Sequence, residues 1–104
     1  MQIQINTDHN IEGDESFSDH IKTMVDDVLN RFSEHVTRVE VHISDQNSEK
    51  SGMNDKRCVM EARLEGRQPI AVTHQAASLD QAIHGAAGKL KHMIESILGR
   101  ESNH

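Results

Sequence analysis

The stretch QPIAVTHQAASLDQAIHGAAGKLKHMIESILGR, residues 68–100, reads as a short strand that runs straight into a long helix. Ser78 is placed to cap the helix, and Gln81 stands three positions later, so the two side chains can satisfy each other's exposed backbone N–H groups. Leu79, Ala82, Ile83, Ala86, Leu90, Met93, Ile94 and Ile97 recur at steps of three and four, the spacing of one apolar helix face. Gly99 is the expected C-terminal stop. The opposite side carries Gln81, His84, Gly88, Lys91, His92 and Glu95, with Lys89 and Arg100 at the flanks of the apolar stripe. That polar, mildly basic surface is left for solvent or a partner.

The rest of the chain has to pack against this unit. At the N-terminus Met1, Ile3 and Ile5 alternate with Gln2, Gln4 and Asn6, the pattern of a half-buried strand. Asp14 is a plausible cap, and Phe17, Ile21, Met24, Val25, Val28 and Phe32 follow at helical spacing, which predicts an amphipathic helix from Asp14 to about Ser33. Thr37, Val39, Val41 and Ile43 then alternate with Arg38, Glu40, His42 and Ser44 in a second strand. The polar segment 45–55, with Gly52 and no periodicity, reads as a hairpin loop. A third strand follows, with Cys58, Met60, Ala62 and Leu64 inward and Arg57, Val59, Glu61, Arg63 and Glu65 outward. A turn at 66–69 leads into the fourth, over 70–75.

The order β-α-β-β-β-α, with one apolar face on each helix, predicts an α+β fold: a four-stranded mixed sheet with both helices on one face and the other face wet. The crossover through the first helix makes the first two strands parallel neighbours in the right-handed sense, and the remaining strands an antiparallel meander.

The 104 residues suit one domain, residues 1–100, with 101–104 as a tail. No apolar run approaches the roughly 20 residues of a membrane span, and the start MQIQIN lacks the basic and apolar blocks of a signal peptide, so a cytoplasmic protein is expected. The single Cys58 has no internal disulfide partner. The net charge of −6 is carried by residues 1–34, where eight acids face Lys22 and Arg31, while residues 35–104 balance. A generic nucleic-acid binder shows a net basic surface, so any such role here falls to a local patch.

Nothing in the chain points to catalysis. It has no Gly-rich phosphate loop, no HExxH and no GxSxG elbow, and Cys58 is expected in the core, so no enzyme, cofactor or small-molecule substrate is expected. His84 and His92 lie about 12 Å apart along a helix, too far to share an ion, and His92 with Glu95 lacks a second matching pair, so no metal site is expected. Gly85 and Gly88 each weaken a helix by about 1 kcal/mol relative to Ala. Close packing within the fold is the structural explanation, but Gly88 falls on the outer side, where close approach of an external backbone such as RNA is the other. Lys89, Lys91, His92 and Arg100, joined by His84, gather positive groups on one element with few acids, and are the candidate phosphate contacts.

The element order, together with Gln68 to His74 (QPIAVTH) and the helix signature Ala82-Ile83 followed by Ala86 to Lys91 (AAGKLK), resembles the ribosome hibernation promoting factor and ribosome-associated inhibitor A family, also called sigma-54 modulation or ribosomal subunit interface proteins, in its short form. The resemblance implies a double-stranded-RNA-binding-like fold seated on the small ribosomal subunit. It implies a translation inhibitor that covers mRNA and tRNA sites in stressed or stationary cells, contacts ribosomal RNA phosphates through basic residues on both helices, and works as a monomer without a cofactor. On this chain those contacts become Lys89, Lys91 and Arg100, with His84 and His92 contributing when protonated and Lys22 and Arg31 as secondary contacts on the first helix. Ser96, Leu98, Met24 and Asp27 stand where the family has further lysines. The alternative is a protein-interaction module of the same fold whose acidic first helix docks a basic partner.

Overall fold

Four apolar alternations in the sequence build one sheet in the computed structural model, which describes residues 1–8, 14–45 and 55–102, with side chains up to Gly99. The strands are β1 (Gln2–Thr7), β2 (Val36–Asp45), β3 (Lys56–Leu64) and β4 (Ile70–Ala76), in spatial order β1-β2-β3-β4. β1 runs parallel to β2, with Ile3 beside Val39 and Ile5 beside Val41, and the other two pairings are antiparallel. The helices α1 (Glu15–Leu29) and α2 (Leu79–Ser102) share one core with the inward residues of the sheet. This is the expected β-α-β-β-β-α arrangement. The hairpin loop expected at 45–55 falls, apart from its two ends, outside the described residues, as do residues 103 and 104 of the tail.

α1 starts where its cap requires, with the Asp14 carboxylate accepting a hydrogen bond from the Phe17 backbone N–H at 2.8 Å. It ends earlier than the periodicity suggests. Residues Asn30–Phe32 tighten into a 3₁₀ turn, in which positions three apart eclipse. Leu29 and Phe32, on either side of this turn, are both buried.

Two further departures have local causes. A β-bulge between Val36 and Arg38 interrupts the alternation, so Val36 faces the core beside Leu64, while Thr37 is exposed and donates its hydroxyl to the Arg63 carbonyl at 3.1 Å. Thr37 therefore leaves the inward set in which strict alternation places it. At the other end, α2 continues through Gly99 to Ser102. Gly only weakens a helix unless the chain takes up a left-handed conformation, and among the described glycines only Gly66, in the β3–β4 turn, has a positive φ, 73°.

Val39, Val41 and Ile43 of β2 and Cys58, Met60 and Ala62 of β3 form the floor of the core, and Ile21, Val25, Leu29, Ile83, Leu90 and Ile94 close it from above. Each fully buried Ile or Leu contributes about 1.5–3 kcal/mol. Ala87 belongs to the buried stripe of α2 as well, whereas Met93, predicted there, is 37% exposed. No described helix is long and apolar enough to cross a membrane.

Cys58 lies in that floor as a free thiol with no exposed surface. Burial pushes its pKa up from 9.0 to about 12, because the thiolate would lose its hydration. The unfolded thiol ionises first, so this contribution to stability is complete below about pH 9 and is lost as pH rises towards 12, at up to about 1.4 kcal/mol per pH unit. Native protein at pH 8 is expected to resist iodoacetamide until denaturant is added. Cys58→Ala is expected to flatten the alkaline fall of Tm relative to the parent, and identical slopes would show that another group titrates.

Candidate nucleic-acid interface

The cation-bearing helix is held by contacts that begin at its first turn. Ser78 Oγ accepts the Gln81 backbone N–H at 3.2 Å, as the capping pattern requires. One turn on, Gly85 presses on the His74 imidazole of β4, so close that any side chain at 85 would overlap the ring. The glycine therefore lets α2 lie directly on the edge strand. It explains the first helix-interior Gly by packing within the fold and gives His74 its structural role at that junction. Gly88, by contrast, has no atom within 4 Å of the position a Cβ would take. It opens onto solvent.

Around that opening, His84, Lys89 and His92 are exposed and Lys91 is half-buried. Lys89 does not extend freely: its ammonium donates to the Thr73 carbonyl of β4 at 2.8 Å. β4 is an edge strand, and a lysine on its free carbonyl blocks one pairing position. Two of the three ammonium hydrogens remain available for an external acceptor. Lys89 thus marks the sheet-edge side of α2, while His84, Gly88 and His92 occupy its outer crest.

α1 runs alongside in the same direction. His20 Nε2 meets Asp80 Oδ1 at 3.3 Å near both helix starts, and Arg31 Nη1 meets Glu95 Oε2 at 3.5 Å further along. Arg31, one of the expected phosphate contacts, is therefore paired with a carboxylate of α2, and its guanidinium also lies 4.9 Å from the centre of the Phe32 ring. It remains 62% exposed, so the pairing is easily exchanged. Lys22 is exposed on α1, set apart from the α2 group between Asp19 and Asp26. The Arg100 side chain lies outside the described residues. The fold thus places His84, His92 and Lys91 towards the outer side of α2 and Lys89 on its sheet-edge flank, well round the helix from Lys91, and leaves Lys22 apart from all four.

Sequence reading missed two features here. The Lys89–Thr73 bond joins positions sixteen apart, and no periodicity reveals it. Arg38, Arg57 and Arg63 fall on one face of the sheet only once the strand register is known, although the alternation of each strand already marked them as outward. Among the described residues, no three His, Cys, Asp or Glu side chains converge to hold a metal ion.

The profile of one protein family, described as sigma 54 modulation protein / S30EA ribosomal protein, matches residues 3–101. The chain belongs to this family. The match spans every strand and nearly the whole of α2, so family membership describes the whole fold and not a local motif. The fold is similar to that of the Thermus thermophilus Protein Y N-terminal domain, with a TM-score of 0.74 and 18% identity over 93% of this chain and 99% of that one. It is also similar to a ribosomal subunit interface protein from Coxiella burnetii, with a TM-score of 0.69 and 12% identity over 95% of this chain and 99% of that one. Comparison with curated protein sequences returns no match.

Proposed function

We propose that this sigma 54 modulation / S30EA family protein is a ribosome-associated translation inhibitor of the cytoplasm. It binds small-subunit ribosomal RNA near the mRNA and tRNA sites under stress or in stationary phase, and acts as a monomer by occupancy without chemistry. The observation that carries the reading is the outer face of α2, in a chain whose family match runs from residue 3 to 101. There His84, His92 and Lys91 lie one turn from a glycine with nothing above it, and Lys89 stands on the sheet-edge flank of the same helix, so a sugar–phosphate backbone can approach the helix closely while cations reach its oxygens from either side. Arg100 extends the same helix, and Arg31 and Lys22 are secondary contacts.

Co-sedimentation with purified small subunits across a salt series tests this directly. The Lys89→Ala, Lys91→Ala double variant is expected to bind more weakly and to lower the slope of log affinity against log salt by up to about two, about one for each phosphate that a lysine neutralises. An unchanged slope would remove both lysines from the interface.

One observation favours a second reading: α1 exposes Glu15, Asp19, Asp26 and Asp27 against Lys22 alone. Such a surface suits a basic protein partner. Pull-down from ribonuclease-treated lysate separates the two readings, because a protein partner survives digestion and ribosomal RNA does not.

A further inference from the structure

The helix-free face of the sheet has the more favourable charge balance for a polyanion. On the helix side α1 is strongly acidic, and on α2 Asp80 and Glu95 offset Lys89 and Lys91. The open sheet face balances, with Arg38, Arg57 and Arg63 against Glu40, Glu61 and, at its rim, Asp8. It also carries the exposed His42.

The cations there occupy two separate points. At one end of β3, Arg57 is half-buried in an open groove of about 260 Å³ that is also lined by Asn6, Asp8, His42 and Ser44. Its guanidinium makes no hydrogen bond or ion pair among the described residues, although the Asp8 carboxylate, which accepts the Asp45 backbone N–H at 3.3 Å, lines the same groove. A guanidinium with no hydrogen-bonded acceptor keeps its planar fork of donors free, and that fork matches two oxygens of a phosphate.

At the other end, Arg63 stands directly opposite Arg38 across the β2–β3 ladder, a like-charge pair that destabilises a sheet. Arg38 is partly satisfied, donating to Gln4 Oε1 and lying 3.6 Å from Glu40, but its Nε is buried with no partner. The Arg63 side chain has no acceptor among the described residues. Each end thus offers guanidinium donors, those of Arg57 and of Arg63, that no described residue engages. Between them Glu40 and Glu61 face each other and repel an anion.

We propose that this face is a second RNA-binding surface, taking phosphate backbone at Arg57 and again at Arg63 with Arg38. The two points are six residues apart on β3, about 20 Å at strand spacing. A single small phosphate cannot bridge that distance, whereas a folded nucleic acid presents phosphates at both points and keeps clear of the carboxylates between. The inference rests on the reading that ribosomal RNA is the partner, and adds a face that does not depend on the helices.

The test uses the full chain and purified small subunits at 50–200 mM salt. Arg57→Gln with Arg63→Gln is expected to lower the salt slope by about two and to weaken binding at least tenfold at 100 mM, with unchanged circular dichroism and a Tm no lower than the parent's, because both side chains point away from the core and the Arg38–Arg63 repulsion is relieved. Arg57→Lys with Arg63→Lys is expected to restore the slope but only part of the affinity, since an ammonium keeps the charge and loses the fork. A double Gln variant with the parent's slope and affinity overturns the proposal, provided that the parent binds and the Lys89, Lys91 variant is impaired. Failure of the parent to bind small subunits overturns the functional reading instead. Arginine-dependent capture that survives ribonuclease digestion would assign the face to an acidic protein and overturns the RNA proposal.

Discussion

Gly85→Ala is expected to lower the unfolding free energy by about 1–3 kcal/mol, although the same change in an exposed helix raises it. Alanine is favoured over glycine in a helix interior by about 1 kcal/mol. Here that gain is outweighed, because the new methyl overlaps the His74 ring and forces the imidazole, or the whole of α2, away from β4. Gly88→Ala is the built-in control. It meets no atom within 4 Å and is expected to stabilise by about 1 kcal/mol. Urea unfolding of the two variants reads the opposite signs, and His74→Ala placed in the Gly85→Ala background is expected to recover part of the loss. If Gly85→Ala proves neutral, His74 does not hold the helix. The Gly88 variant also carries a functional readout: under the proposed RNA reading it binds small subunits more weakly while being the more stable protein. No loss of folded structure can produce that combination.

The largest stability effect is expected at Leu90. This residue sits between Lys89 and Lys91 and has no exposed surface. Leu90→Ala removes its side chain from a packed core and leaves a cavity, for a loss of about 2–5 kcal/mol, out of the roughly 5–15 kcal/mol that stabilises a domain. The denaturation midpoint should fall with little change in the dependence on denaturant. Lys91→Ala is expected to stay within about 0.5 kcal/mol of the parent. Lys89→Ala is expected to lose no more than about 1 kcal/mol, the net value of its hydrogen bond to Thr73. A small Leu90 effect would mean that the helix is not anchored at the point from which both lysines project. The pattern separates anchoring from binding: loss of small-subunit binding through Leu90 should follow unfolding, whereas loss through the lysines should not.

The strand alternations and the two helical faces were legible in the sequence because each depends on neighbours within a few residues. The Asp14 and Ser78 caps, the inward run from Cys58 to Leu64 and the buried stripe from Ala82 to Ile94 all follow from local spacing. So does the parallel first crossover, since a strand, an amphipathic helix and a second strand have one favoured way to pack. Local spacing also separated the side chains of α2 into a buried set and a cation-bearing set. It misjudged Thr37, because one extra residue in a strand reverses the alternation, and Gly99, because glycine permits a helix stop without imposing one.

Only the tertiary structure decided which charges stand alone. Arg31 meets Glu95, His20 meets Asp80 and Lys89 reaches Thr73, and each pairing joins two different elements at a separation that no local period spans. The alignment of Arg38 with Arg63, and the placing of Arg57 in a groove beside Asn6 and His42, required the register of three strands. Hydrophobic pattern is written along the chain at fixed periods, whereas an electrostatic neighbourhood is a set of distances between side chains that only folding brings together.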